Sequence, residues 1–332
     1  MKESDIRPPE LFAQYLELSR RDNERFFSDH SAFVEVPCPA CGSTDMAPSF
    51  IKQEFTYCAC NDCESLYMSP RPTDAHLSAF MAQAESVKFW STDFYRHTAE
   101  ARRKFIFQPR AEIIAGLVKR FALPDVATFV DIGAGYGILL EEVARLNAFG
   151  RVTGIEPAPD LAADCRAKGF DGYEHTLEDE RSAAINADFM TAFEVLEHVN
   201  DPLRFLQALQ TSLRPGGLAM LTTLTVSGYD IQTLWDRSNA ISPPHHINLL
   251  SVEGYRKLVE RAGLELVELT TPGALDVDIV RNAVQTDPGV NVDRFARHMA
   301  TDASAEQRAA FQSFLTDNAL SSHLRLIVRR PS

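Results

Sequence analysis

Four cysteines fall in two knuckles, Cys38-Pro-Ala-Cys41 and Cys60-Asn-Asp-Cys63, separated by eighteen residues. Two C-x-x-C pairs at such a spacing can place four thiolates around one tetrahedral zinc. A four-cysteine site keeps no open coordination position, so its Zn2+ would fold a module and perform no chemistry. Cys58 and Cys165 are surplus to it. Three histidines offer chemistry of another kind. His245 and His246 follow Pro243-Pro244 in "SPPHHINLLS", and His198 stands with Glu194 and Glu197 in "FEVLEHVND". An imidazole titrates near neutrality and is suited to taking a proton from an acceptor group. Two carboxylates and an imidazole spaced E-x-x-E-H could instead hold a divalent ion. The plainer alternative for each histidine is a loop or helix-start residue that hydrogen-bonds to the backbone.

A third group lies in "FVDIGAGYGILLEEVARL", residues 129–146, where a buried strand runs into a glycine turn and then an amphipathic helix. Gly133, Gly135 and Gly137 permit a tight turn and a close approach by a ligand. A dinucleotide fingerprint would place its third glycine three residues after the second, and Ile138 stands there instead. Asp131 would repel a pyrophosphate but suits a cationic amine. Glu156 ends the next strand in "GIEP", where an acid can accept both hydroxyls of a ribose. A nucleoside joined to an amine describes S-adenosylmethionine.

These residues need a scaffold, and the pattern from Ala127 onward supplies one. Short β-branched runs alternate with helical segments, the signature of a parallel sheet covered by helices. Strands are expected near 127–132, 151–156, 171–174, 188–193, 217–224, 264–270 and 322–329. Asp201-Pro202 should start a helix ended by "RPGG", and Ser251 should cap another that stops at Gly263. Ahead of the sheet, an apolar stripe of Leu11, Phe12, Tyr15, Leu16 and Leu18 marks a helical arm. Residues 73–121 read as helical, with a break at Pro124-Asp125.

The motifs together resemble a class I S-adenosylmethionine-dependent methyltransferase over residues 127–270. "VDIGAGYG" is similar to its first motif, "GIEP" to its second, "AFEVLEHVNDP" to its fourth-strand motif and "LRPGGLAMLT" to its fifth-strand motif. The resemblance implies an α/β fold, a doubly wound seven-stranded, mostly parallel, Rossmann-like sheet. It implies cofactor contacts from Asp131, Gly133, Gly135, Gly137, Glu156, Phe193 and Glu194, with Leu177 and Glu178 in "HTLED" flanking the adenine. A zinc module ahead of such a domain resembles the sugar C-methyltransferases that act on nucleotide-linked deoxysugars. In those enzymes the counterpart of "HHINLLS" carries a Glu-His pair. Here His246 matches the His, His245 replaces the Glu, and Pro243 stands in place of a Tyr, so an O-methyltransferase using one base fits as well. The expected organisation is an arm (1–35), a zinc module (36–72), a helical lid (73–126) and a methyltransferase domain (127–332) with a helical insertion over about 271–321. That insertion, with its stripe Phe311, Phe314 and Leu315, would line the active site, make a homodimer contact or simply pack into the core.

Composition narrows the partners. With 45% hydrophobic and 24% charged residues the chain is globular in type, and 33 basic against 46 acidic residues leave a net charge of −13, unfavourable for nucleic acid. No signal peptide or membrane span is evident, which points to the cytoplasm, where six cysteines are thiols or metal ligands in preference to disulfides. The expected activity is methyl transfer to a small polar metabolite, foremost a nucleotide-linked or glycan-precursor sugar. A quinone-like or natural-product hydroxyl is a second acceptor class, and a cofactor-sensing binding protein is the non-enzymatic alternative.

Overall fold

The structure is a computed structural model that describes residues 3–124 and 127–332. Of the expected break at Pro124-Asp125, Asp125 lies outside the described residues. Eleven strands are described: β1 Met46–Lys52, β2 Phe55–Cys60, β3 Leu66–Met68, β4 Thr128–Ile132, β5 Arg151–Ile155, β6 Asp171–Tyr173, β7 Ala187–Phe193, β8 Leu213–Leu224, β9 Asn248–Leu249, β10 Glu265–Thr270 and β11 His323–Arg329. Seven of them form one sheet in the order β10-β11-β8-β7-β4-β5-β6. The pairs β4–β5, β4–β7, β5–β6 and β7–β8 are parallel. This is the expected doubly wound α/β sheet, and its central strands are buried along nearly their whole length, Asp131, Asp188 and Thr191 included.

One boundary differs from the sequence reading. The helix Pro202–Ser212 ends before "RPGG", and those residues open β8. The register between β7 and β8 shifts there, and Gly216 takes φ +75°. A Cβ on Gly217 would come within 2.9 Å of the Arg214 carbonyl and 3.0 Å of the Ala187 carbonyl. The glycines therefore accommodate a bulge in a strand rather than stopping a helix.

Two compact units divide the chain. One comprises Met1–Glu100, Leu224–Tyr255 and Thr270–Leu324; the other comprises Ala101–Thr223, Arg256–Leu269 and Arg325–Ser332. The second unit packs Phe129, Phe189, Leu218, Met220 and Ile327 from the sheet against Ile114, Leu139 and Leu140 from the helices. Each fully buried side chain of this size stabilises the fold by about 1.5–3 kcal/mol.

In the first unit, β1-β2-β3-β9 form a four-stranded sheet over a core of Phe55, Tyr57, Leu66, Ile241, Ile247 and Leu249. The arm helix, Pro9–Phe26, buries Tyr15 but continues its inner face with Ser19, Asp22 and Asn23. Asp22 accepts the backbone N–H of Ser86 at 2.7 Å and that of Glu85 at 3.2 Å, capping the helix Glu85–Phe89. The 73–121 stretch is helical but carries two π-helical turns, Trp90–Phe94 and Arg103–Phe107. The insertion is three helices, Asp276–Thr286, Arg294–Thr301 and Ala305–Asp317; its stripe buries Leu315 and leaves Phe314 exposed. No helix among the described residues is long and apolar enough to cross a membrane.

Candidate active site and metal centre

The glycine turn follows β4 in the second unit. Gly133, Gly135 and Gly137 adopt φ of +71°, +53° and +69°, a region open to glycine and strained for other residues. A Cβ built on Gly135 meets no atom within 4 Å, so the outer side of the turn is open for a ligand. Beneath it, Cys165 is fully buried and donates its thiol to the Gly135 carbonyl at 3.3 Å, and a Cβ on Gly137 would come within 3.1 Å of its sulfur. Cys165 is thus the floor of the turn, and burial raises its thiol pKa to about 11.

Two acids stand at the strand ends beside this turn. Glu156 follows β5 and is nearly buried; its two carboxylate oxygens accept the N–H of Gly135 at 2.8 Å and of Ala158 at 3.0 Å. Burial raises its pKa, and those amides oppose the rise. Each oxygen keeps a second acceptor position for a hydroxyl. Asp131, on β4, is buried and accepts the Thr191 hydroxyl at 2.6 Å. Burial pushes its pKa up to about 7, with the Thr191 bond and Arg110 acting against it. Leu177 is buried and Glu178 half-buried in the turn after β6.

The segment after β7 carries Phe193, Glu194, Glu197 and His198. Glu194 has φ +55°, an unusual conformation for a non-glycine residue. Its carboxylate accepts from Arg110 at 2.7 Å and from the Thr222 hydroxyl at 2.8 Å, and Arg110 lies over the Phe193 ring at 4.5 Å. Arg110 was not singled out by the sequence reading, because it sits on a helix well ahead of β4 and belongs to no motif. Glu197 is fully buried on the Thr223 hydroxyl at 2.8 Å, and burial, followed by the nearby Glu194, raises its pKa. His198 is exposed, its backbone N–H bonded to the Val195 carbonyl at 3.0 Å. Glu197 and His198 bring ligand atoms within 4.8 Å of each other, while Glu194, bonded to Arg110, is not part of that group.

In the first unit the four predicted cysteine ligands converge. The sulfurs of Cys38, Cys41, Cys60 and Cys63 lie within 4.8 Å of one another, with Cys38–Cys63 and Cys41–Cys60 each at 3.5 Å. Tetrahedral zinc, with Zn–S of about 2.3 Å, holds its sulfurs about 3.8 Å apart, so the donor set and its spacing fit that metal. Cys58 stands apart, its thiol on the Ser69 carbonyl at 3.4 Å.

His245 and His246 occupy the same unit in different surroundings. The His245 ring lies 5.1 Å from Phe80 and 5.9 Å from Tyr15, in an aromatic packing site. His246 places Nδ1 2.6 Å from the Ala240 carbonyl. A carbonyl only accepts, so Nδ1 carries a proton. Asn248, two residues on, begins β9, and Ser251 caps the helix Val252–Arg261 through the Gly254 N–H at 2.8 Å.

A family model described as a methyltransferase domain matches residues 103–269. A ubiquinone biosynthesis O-methyltransferase of Methylobacterium sp. (strain 4-46) is 39% identical over 103 residues, 29% of this chain and 41% of that protein. Another, from Xanthomonas campestris pv. campestris (strain B100), is 37% identical over 112 residues, 32% of this chain and 46% of that protein. The chain therefore spans less than half the length of these relatives. A structure of the Haloferax volcanii Trm112 methyltransferase activator in complex with a methyltransferase is similar with a TM-score of 0.50 at 19% identity, over 72% of this chain and 94% of that one. The plantazolicin methyltransferase BamL, solved with a triazolic desmethylPZN analogue and SAH, also has a TM-score of 0.50, at 11% identity over 77% of this chain and 94% of that one. At these identities the likeness is one of fold.

Proposed function

The chain belongs to the methyltransferase-domain family, and on that premise we propose that it moves a methyl group from S-adenosylmethionine to a hydroxyl oxygen of a small polar acceptor. The observation that carries this reading is the open, left-handed glycine turn flanked by Asp131 and by Glu156, the latter fixed by the Gly135 and Ala158 amides. Asp131 suits the cofactor's amine, Glu156 its ribose hydroxyls, and Leu177 and Glu178 its adenine. Arg110, ion-paired with Glu194 and lying over the Phe193 ring, is the proposed contact for the cofactor's carboxylate. When bound, the cofactor supplies an electrophilic methyl on a sulfonium. The protein's own work is to orient that group, exclude water and remove the acceptor's proton.

His246 is the base in this reading, since its Nδ1–H is committed to a carbonyl and its Nε2 has the lone pair a hydroxyl proton requires. His245, packed between aromatic rings, supports the loop, and His198 is an exposed secondary candidate for substrate contact. The four cysteines hold a structural Zn2+. A nucleotide-linked or glycan-precursor sugar is the first acceptor class, supported by the cysteine module ahead of the matched domain and by the His246 loop. A quinone-like hydroxyl is the second, favoured by the name its relatives carry. Incubation with methyl-labelled cofactor and parallel panels of nucleotide sugars and catechols, read by mass spectrometry, tests both. The absence of any one-methyl mass gain across both panels would sink the enzymatic reading.

A further inference from the structure

The segment bearing His246 is built into the cysteine module. β9 pairs antiparallel with β3, Leu66 opposite Leu249 and Tyr67 opposite Asn248. The Met68 N–H donates to the Ile247 carbonyl at 2.9 Å. Tyr57, fully buried on β2, donates its hydroxyl to the His246 carbonyl at 2.8 Å; burial raises the phenol pKa, so it remains a donor. Arg71 is buried at 1% exposure and donates Nη2 to Asn248 Oδ1 at 3.2 Å and Nε to the Met68 carbonyl at 3.0 Å. On the other side of the histidine, Lys52 of β1 donates to the Ser238 carbonyl at 2.8 Å, and Phe50 meets Trp235 edge to face. Both ends of the 235–248 loop are thereby tied to one small sheet, and Ala240, whose carbonyl takes the imidazole proton, lies between the ties.

We infer that Tyr57 and Arg71 are positioning residues for His246: from the cysteine module Tyr57 holds its backbone carbonyl and Arg71 the Asn248 side chain two residues on, so that Nδ1–H stays on Ala240. An imidazole without such a restraint exchanges between both neutral tautomers, and only one of them offers Nε2 as a base. The module then has a part in catalysis through the geometry it imposes, although its metal has no open coordination position. This inference rests on His246 being the base, but the tautomer can be read without any acceptor.

The test is histidine 15N NMR above the imidazole pKa on zinc-loaded full-length protein, comparing the wild type with Tyr57→Phe, Arg71→Lys and Asn248→Ala. The wild type should show His246 as a single Nδ1–H tautomer. In the variants that signature should give way to averaged shifts of the two tautomers, with zinc still one per chain and S-adenosylmethionine binding within about twofold by calorimetry. Should all three zinc-loaded variants keep the wild-type tautomer, the positioning role is overturned. A His246→Ala protein that still methylates an acceptor at full rate would instead overturn the base assignment and leave the tautomer result standing, which separates the two failures.

Discussion

The Thr191 hydroxyl donates to Asp131 Oδ1 at 2.6 Å across directly paired positions of β7 and β4, a hydrogen bond buried in the centre of the sheet. It holds the one acid of the first motif in place, while burial raises that acid's pKa to about 7. If a cationic amine binds there, the ionised form is favoured and the pKa falls on binding. Cofactor binding should therefore release a proton below about pH 7, and affinity should drop by up to about tenfold per pH unit as pH falls further. Calorimetry in buffers of different ionisation enthalpy measures both. Asp131→Asn should abolish the proton release and weaken binding by about tenfold or more, the scale of a charged hydrogen bond. An unchanged proton count in that variant would remove Asp131 from the amine site.

Arg110 is the cation that Glu194, Asp131 and Glu197 share. Replacing it with Met keeps the stacking volume over Phe193 but leaves the Glu194 carboxylate without its guanidinium. Because the pair is partly exposed, 13% for Arg110 and 39% for Glu194, the loss of stability should be modest, about 1–2 kcal/mol. Cofactor affinity should fall more than stability does. Equal affinity in Arg110→Met and wild type would confine the arginine to a structural part.

The sheet was legible in advance because short β-branched runs alternate with helical segments, and β4, β5, β7 and β10 begin or end within a residue or two of expectation. "RPGG" misled because a glycine pair that stops a helix and one that makes a bulge look alike in sequence; the neighbouring Ala187 carbonyl that requires Gly217 is visible only in three dimensions. The cysteine knuckles were read from spacing alone and their sulfurs converge. Arg110 and Tyr57 were missed for a common reason. Each acts on a residue distant in sequence, and neither type is rare enough to draw notice where it stands.

The cysteine cluster makes a direct prediction about metal. Zinc binding in such modules contributes folding free energy on the order of 10 kcal/mol, so a strong chelator at pH 7 should melt the β1-β2-β3-β9 sheet. Cys63→Ser should reduce zinc below one per chain, and Cys58→Ser should not, because the Cys58 thiol bonds a carbonyl outside the cluster. Elemental analysis of the two purified variants decides; equal zinc in both would contradict the ligand assignment.

A buried acid pair in the first unit should make stability pH-dependent. Asp230 and Asp276 are both nearly inaccessible, and Asp276 accepts from Gln312, the Ser321 hydroxyl and the Ser322 N–H. Burial, and then the charge of Asp276, push the pKa of Asp230 up to about 8. An acid whose folded pKa lies above its unfolded value holds its proton longer in the folded state. Stability should consequently fall as pH rises from about 4 to about 8, by at most about 1.4 kcal/mol per unit from this group. Asp230→Asn should flatten that slope in denaturant titrations at several pH values; a slope identical to wild type would refute the assignment.

The two adjacent histidines should separate cleanly. His245 contributes a ring to a packing site formed with Phe80 and Tyr15, so His245→Phe preserves the contact and should change turnover by less than about threefold, while His245→Ala should cost about 1–3 kcal/mol of stability. His246 offers Nε2 as an acceptor with its other nitrogen held by Ala240, and no phenyl or amide side chain reproduces that pairing. His246→Ala and His246→Gln should each lower kcat by about 10² to 10⁴, the usual contribution of a general base, with cofactor affinity unchanged. The remaining activity should recover toward higher pH, where the acceptor hydroxyl loses its proton without help. A loss confined to KM, or a larger loss in His245→Phe than in His246→Gln, would assign the chemistry to the wrong ring.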